Sequence, residues 1–444
     1  MERESAALGL TSAVRRFASR APVSVYPIAG EGARDALQDL RLEPSLRFVF
    51  TPRAANVLLI AGHVRRELIE PVVSAHDALS HPRAAVLWKT GPDDADLTEA
   101  LPDAITVGED PVATLVRVHA DLVMAIRESS PSLRPDVDPA QWRGVGPFGQ
   151  GGSGMTGGVP YGRPLADRAA DRDGLTLDQL SFRVGPFWHP LPPGLLLELD
   201  LQGDVIQRVG FPAEAYAPST SAIDGDIFVR SLTEPVRVAD IELSRARSHL
   251  RRLAEAVALH GLDALGARIL RLAIAASPDS AGQVEALTGP LRRSGFLGWA
   301  TSGVGALDRD LISGMGLGPT AKAGGLVEDL RSEDAVYHSF GFEPVLDAGS
   351  DVAARWRVRL AEAAQSLRLA ERAGDRVLDP AGLVESPRGQ LERGSAPTSR
   401  LMYSLPGILD GLEWGDAVAT IVSLDLDLDE LRAHAPTRAE ELVP

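Results

Sequence analysis

Cysteine is absent from the 444 residues. No disulfide, cysteine-ligated iron–sulfur cluster, thiolate zinc site or nickel–thiolate centre can be built from this chain's own side chains. Lysine is almost absent too: it occurs only at Lys89 and Lys322, and the remaining basic residues are arginine. Basic residues number 45 against 61 acidic ones, a formal charge of −16 at pH 7. That balance disfavours nucleic acid as a partner, because phosphate binding leans on clustered Lys and Arg. Long apolar runs are missing as well, since none approaches the ~18 residues that cross a bilayer. The longest, NVLLIAG (56–62) and GLLLELDL (194–201), have the length of buried strands. The opening MERESAALGLTSAVRRFASRAP lacks the apolar core of a signal peptide. The expectation is a cytoplasmic protein, peripheral on the inner face of the cell membrane, that reaches the membrane through partners.

What is present is the composition of a folded protein, with 44% hydrophobic and 24% charged residues. The length exceeds one compact core and predicts two or three domains. Residues 1–130 alternate short apolar runs (FVFTP, NVLLIAGHV, RAAVLWKTG, DAITVGED) with helical stretches at 65–79 and 111–129. That rhythm predicts an α/β domain with a small parallel sheet. Residues 131–175 are rich in Gly and Pro and read as a linker, GVGPFGQGGSGMTGG among them. A phosphate cradle is not supported there, because no strand leads in and no Gly-Lys-Ser/Thr follows.

Residues 176–432 predict an α+β, mainly helical domain with an antiparallel sheet at its start, and 433–444 a tail. Alternation over 175–187 and 194–211 gives the strands. ADIELSRARSHLRRLAEAVALHG (239–261) predicts a helix with Ile241, Ala246, Leu250, Leu253 and Val257 on one stripe. Residues 350–375 predict another, with Ser350 or Asp351 as N-cap and Gly374 near its end. Between the strands lies VGPFWHPLPPG (184–194), where four prolines forbid helix and impose a shaped loop around His189.

Several segments, in order, resemble one family over residues 177–432. DQLSFRVGPFWHPLPPGLLLELDLQGDVI is similar to a sheet whose loop usually reads G-P-Q-H-P-x-x-H-G. ELSRARSHLRRLAEAVALHG resembles a helix with E-x-x-R-x-x-x-H-L. GPTAKAGGLVEDLR, DVAARWRVRLAEAAQSLRLAE, VESPRGQLE and TIVSLDLDLDELR follow, each similar to a segment of the same family. That family is the large, D-type subunit of respiratory complex I (NADH–quinone oxidoreductase), related to the large subunit of nickel–iron hydrogenases. TPRAANVLLIAGHVRRELIEPVVSAHDALSHPRAAVLWKTG (51–91) resembles the neighbouring B-type subunit, over roughly residues 12–125. The resemblance implies a B-type and a D-type subunit fused through the Gly-rich segment, with Gly151–Gly158 as a tether. It also implies a quinone headgroup pocket between the two parts and membrane-arm subunits as partners.

The departures from the family bear on chemistry. Gly91-Pro92-Asp93-Asp94, Val107-Gly108-Glu109-Asp110-Pro111 and the segment Val23–Ala29 stand where the B-type family carries its cluster cysteines. His189 and Pro190 match the first His-Pro of the quinone loop, but Pro193 replaces its second histidine, and proline offers no proton. Gln390 replaces a glutamate, and Tyr216 is not assigned to the family's quinone-facing tyrosine.

His189, Trp188, Arg388 and Glu385 are the quinone-pocket candidates; no catalytic, cofactor or metal set is assigned. His189 reads as a structural loop residue before it reads as a quinone ligand. His249 reads as a buried, hydrogen-bonded histidine. Arg355, Arg357, Arg359 and Arg368 with Glu362 read as ion pairs within and between helices. Asp425, Asp427, Asp429 and Glu430 read as a solvated acidic terminus, since alternate spacing alone is poor evidence for a cation site. His63, His76 and His81 show no metal spacing. The reading is a redox-inactive scaffold or coupling subunit of a complex I-like or hydrogenase-like membrane assembly, without a cofactor of its own. The alternative is a working NADH–quinone oxidoreductase subunit with a residual quinone pocket and a cluster supplied by another chain. A free-standing enzyme is least supported, because no nucleophile–base set appears.

Overall fold

The computed structural model describes residues 13–88, 95–136, 167–170, 174–212 and 226–433. The N-terminal region is a five-stranded parallel sheet built from β1 (Val23–Ala29), β2 (Leu46–Phe48), β3 (Val57–Ala61), β4 (Ala84–Trp88) and β5 (Ile105–Val107). The spatial order is β2-β1-β3-β4-β5. VLLIA and AAVLW are apolar throughout because both faces of these central strands are covered. Helices α1 (Arg34–Leu40) and α4 (Val112–Val123) cover one face with Leu37, Leu40, Leu115, Val118 and Leu122. Helices α2 (Ile69–Asp77) and α3 (Ala95–Ala100) bury Val72 and Leu97 on the other.

Strand β1 carries Pro27 in mid-sheet, where a missing N–H ordinarily breaks a ladder. Its pairing with β2 covers only Val23 to Val25, so Pro27 lies past the end of that neighbour. Residue 27 therefore faces a partner only on the β3 side, in register with Leu59.

The C-terminal region opens with an antiparallel sheet, β6 (Arg168–Ala170), β7 (Thr176–Val184), β8 (Leu197–Gln202) and β9 (Val205–Gly210), in that order. Leu197, Leu199 and Leu201 alternate inward along β8 with Ile206 of β9 and pack on α9 (Pro397–Leu409) and α10 (Trp414–Leu424). Beyond the sheet run α5 (Val238–Leu259) and α6 (Asp263–Ala275), then the short α7 (Pro319–Ala323) and the long α8 (Val352–Ala373). The hairpin β10 (Leu383–Glu385) and β11 (Gln390–Glu392) follows, and α11 (Leu428–Ala433) ends the described chain.

Helices α5 and α8 form the axis of this region. The stripe Leu250, Leu253 and Val257 packs against Trp356, Leu360 and Leu367 in one cluster. Each such leucine contributes roughly 2 kcal/mol by leaving water. Helix α8 starts because the Asp351 carboxylate accepts the Ala354 amide at 2.7 Å, and it stops at Gly374, whose φ is +56°. Asp351, not Ser350, is the cap. Among the described residues no helix is long and apolar enough to cross a membrane.

Candidate functional site

Strand order fixes where a site can form. The order of strands reverses between β1 and β3, and crevices open at the carboxyl ends of strands at such a point. Here the two loops that leave β1 and β3 pair with one another through a bridge between Glu31 and His63. Gly30 makes this possible: a Cβ there would sit 2.4 Å from the His63 carbonyl oxygen. The amide of Gly32 then donates to Oδ2 of Asp429 at 2.9 Å, so the end of the C-terminal region sits against the same edge.

The loop 184–194 reaches this edge from the other side. Gly185 adopts φ +100°, and a Cβ there would lie 1.8 Å from the Leu195 carbonyl oxygen. The Gly194 amide donates to the Pro186 carbonyl at 2.9 Å, which closes the loop into a rigid arch. Tyr26 Oη donates to the Phe187 carbonyl at 2.7 Å, and Phe187 packs into the core under the parallel sheet. Trp188 stacks on Trp414 with ring centroids 5.5 Å apart and 21° between planes.

His189 is enclosed. The Arg41 guanidinium donates to its Nε2, which leaves the ring proton on Nδ1, an atom with no hydrogen-bond partner. The Phe50 ring meets the imidazole edge-on at 5.4 Å. Burial, and then the Arg41 charge, push the His189 imidazole down to about 3. It is a neutral N–H donor near pH 7, not a reservoir of protons.

These residues line a cavity of about 90 Å³ between the two regions. Phe48, Phe50, Trp188 and Val422 supply apolar wall, while Arg34, Gln38, Glu255 and Asp425 supply polar groups. Arg34 donates to Glu255 at 2.8 Å and stands 3.9 Å from Oδ1 of Asp425. Burial alone would raise Glu255, but Arg252 and Arg34 hold its carboxyl down to about 2. Further pairs bolt the regions together around the cavity. Arg251 donates to Asp39 at 2.5 Å, Arg252 reaches Asp35, and Gln38 donates to the Arg251 carbonyl at 2.8 Å.

Of the four residues singled out from the sequence, His189 and Trp188 lie together on this cavity. Arg388 lines a separate, charged cleft of about 660 Å³, where it donates to Glu430 at 3.0 Å and meets Asp427 at 3.1 Å. Glu385 lies at the end of β10, 2% exposed, its Oε2 accepting the Leu330 amide at 3.2 Å. Burial and then the Asp329 charge push the Glu385 carboxyl up to about 8, against the pull of Lys322. Pro193 lines both the cavity and the charged cleft.

One expectation is corrected, and another, ion pairs within and between helices, holds for pairs between elements. The acidic run at 425–430 is not a solvated terminus. Asp425 takes φ +59° after α10, which turns its carboxylate inward onto Arg359 at 3.2 Å, and Glu430 is buried against Arg388 and Thr398. The arginines of α8 pair outside their own helix: Arg357 with Asp347, Arg368 with Glu285, and Arg359 with Asp425. Arg355 bonds carbonyls of Ser350 and Gly305 and the Ser423 hydroxyl. Glu362 takes Lys322, Arg331 and His249 as partners. His249 is buried, as expected, with Arg359 donating to its Nδ1 at 3.3 Å.

Arg34, Arg41, Phe50, Glu255 and Asp425 went unremarked as cavity residues, since they come together only through the packing of distant segments. Lys322 carried a sequence signal, being one of two lysines and set among Ala and Gly. Of the three segments set against the B-type resemblance, Val23–Ala29 is β1. The turn after β5 is tied down by Trp88 Nε1 donating to the Glu109 carbonyl at 2.8 Å and by Asp110 accepting the Val112 amide at 2.9 Å. Residues 91–94, Tyr216 and Gly151–Gly158 lie outside the described residues. Among the described residues no group of three or more His, Asp or Glu is placed to hold a metal ion.

Residues 299–405 match the family described as respiratory-chain NADH dehydrogenase, 49 Kd subunit. The matched stretch, just under a quarter of the chain, holds α7, α8 and β10, with Lys322, Glu362, Glu385 and Arg388, and leaves out the loop around His189. No curated protein matches the chain.

Proposed function

We propose that this chain is a structural subunit of a complex I-like membrane assembly, a B-type part fused to a D-type part, without a redox centre of its own. The match over residues 299–405 supports the D-type ancestry. The lack of cysteine means that this chain supplies no thiolate for a cluster. The observation that carries the reading is the closure of the loop onto the N-terminal sheet. Arg41 occupies His189 Nε2, Tyr26 holds the Phe187 carbonyl, and arginine–carboxylate pairs between α1 and α5 clamp the two regions together. Such an interface favours one rigid body that docks on cytoplasmic loops of membrane-arm subunits. Cross-linking mass spectrometry in native membranes tests it: cross-links to membrane-spanning subunits are expected, and their absence overturns it.

One observation favours a second reading, a subunit that still holds a quinone. The Nδ1–H of His189 has no acceptor, and the cavity beside it has apolar walls. Titration of the purified chain with a short-chain quinone, followed through Trp188 and Trp414 fluorescence, separates the two. The structural reading expects no saturable quenching. Saturable quenching that His189→Asn abolishes favours the quinone site.

A further inference from the structure

Behind the cavity runs a chain of buried charges that docking does not require. Helix α5 contributes Glu242, Arg245 and His249, and α7 contributes Lys322. The turn after it contributes Asp329 and Arg331, α8 contributes Arg359 and Glu362, and Glu385 and Asp425 complete the set. All are 5% exposed or less. Asp425 lines the cavity and pairs with Arg359 at 3.2 Å. Arg359 reaches Nδ1 of His249 at 3.3 Å, and Nε2 of that ring faces Glu362 at 3.4 Å. Glu362 takes the Lys322 ammonium, which also donates to Asp329 at 2.7 Å and stands 3.9 Å from Glu385.

Counting charge along this chain gives an imbalance at one residue. Arg245, Lys322, Arg331 and Arg359 are cations, and Glu242, Asp329, Glu362 and Asp425 are their counterions through direct contacts. Because Arg359 donates to Nδ1, His249 is held as a neutral ring with its proton on Nε2. Glu385 is then a surplus carboxyl. Lys322 spends its close contacts elsewhere, Arg245 donates to the backbone carbonyl of Glu385 rather than its carboxyl, and Oε1 has no hydrogen-bond partner. An ionised carboxylate in that position would leave one uncompensated negative charge in a dry interior, which costs far more than holding a proton.

We propose that Glu385 is a buried proton-binding site linked to the cavity, holding a proton while Asp425 is charged and releasing it when that charge is neutralised. Neutralising Asp425, by a cationic group or a strong hydrogen-bond donor placed in the cavity, leaves the chain with a surplus positive charge. The O–H bond of Glu385 then breaks, the proton leaves to solvent, and the carboxylate takes up the freed share of Lys322. One proton moves and no electron does. The linkage is reciprocal, so deprotonating Glu385 strengthens the hold on a cation at Asp425. The groups facing Glu385 are Lys322, Asp329, Arg331, Arg245 and Arg400, and burial keeps its carboxyl near 8 while all of them are charged. This inference stands on the charge chain and holds whether or not the protein docks on a membrane arm.

Infrared difference spectroscopy on the full chain tests it. At pH 7 the wild type must show the C=O stretch of a desolvated, protonated carboxyl that Glu385→Gln lacks. Gln keeps the size and neutrality of the protonated acid, so that variant folds. Asp425→Asn, which removes the charge while keeping the shape, must abolish the same band at pH 7. Absence of an E385Q-sensitive acid band overturns the proposal, and so does a band that D425N leaves unchanged. If D425N does not fold, alkaline titration of the wild type decides. The band must disappear through about pH 8, and a band that persists well above it, or is missing below it, overturns the site.

Discussion

Tyr26 Oη and the carbonyl of Phe187 are 2.7 Å apart, and this buried bond joins a strand of the parallel sheet to the arch that carries Trp188 and His189. Burial pushes the Tyr26 phenol up to about 12, so it stays a donor across the working pH range. Tyr26→Phe leaves the carbonyl without that partner and is expected to destabilise the fold by about 1 kcal/mol. Urea denaturation with unchanged slope checks it; a variant as stable as the wild type shows that water replaces the phenol there.

Gly185 sets the path of the arch. Its φ is +100°, and a Cβ added there would come within 1.8 Å of the Leu195 carbonyl, which leaves no room for a side chain. Gly185→Ala is expected to displace residues 186–193 and break the stacking of Trp188 on Trp414. The readout is near-ultraviolet circular dichroism of the tryptophans, which must change while the far-ultraviolet helix signal is kept.

Lys322 is held by Asp329 and Glu362 with almost no exposure. Lys322→Met leaves Asp329 and Glu362 to share the Arg331 charge, one buried cation short, and is expected to cost about 3–5 kcal/mol. Adding Glu362→Gln to that variant should recover part of the loss, because one of the stranded charges goes with it. Chemical denaturation of the single and double variants measures this coupling. Strict additivity contradicts a shared network.

The pH dependence of stability has opposing limbs. His189 and His249 sit at about 3 and about 4 when folded, below their ordinary 6.5, so from pH 6.5 downward the unfolded chain binds protons that the fold does not. Stability therefore falls as pH drops below 6.5, and His76, also lowered by burial, acts the same way. Glu385 works in reverse. Its folded value near 8 lies above the ordinary 4.5, so the fold holds an extra proton and loses stability as pH rises toward 8. Glu430, raised by burial, adds to that limb. Two main groups against one give a net rise with pH below 6.5 and a fall above it. Maximum stability is expected near pH 6.5, with each proton worth about 1.4 kcal/mol per pH unit while it is exchanged. Thermal melts across pH 5–9 check it, and Glu385→Gln should flatten the alkaline limb.

Periodicity found the elements whose signals are local. The stripe from Ile241 to Val257 is the buried face of α5, and VLLIA and AAVLW are the central strands. It did not find β1, because Pro27 argues against a central strand until the short reach of β2 is known. The alternating LDLDLD of 424–429 looked like a solvated edge, since nothing local shows that Asp425 takes a left-handed cap conformation that aims it at Arg359. Loop 184–194 was recognisable from its prolines. Arg41 and Phe50, which enclose His189, come from the segments on either side of β2 and carry no motif. Glu385 stood out only by its place in VESPRGQLE; that it is surplus charge depends on counting partners from four other elements.

The most direct test of the structural role is affinity purification of the tagged chain from membranes in mild detergent, with mass spectrometry of the partners and iron analysis of the complex. The account predicts membrane-spanning subunits in fixed proportion to this chain and no iron bound by it. Recovery of the chain alone, or in a complex whose iron is lost when this chain is removed and whose quinone turnover falls about 100-fold, the share of a positioned proton donor, on His189→Asn with assembly intact, would contradict it.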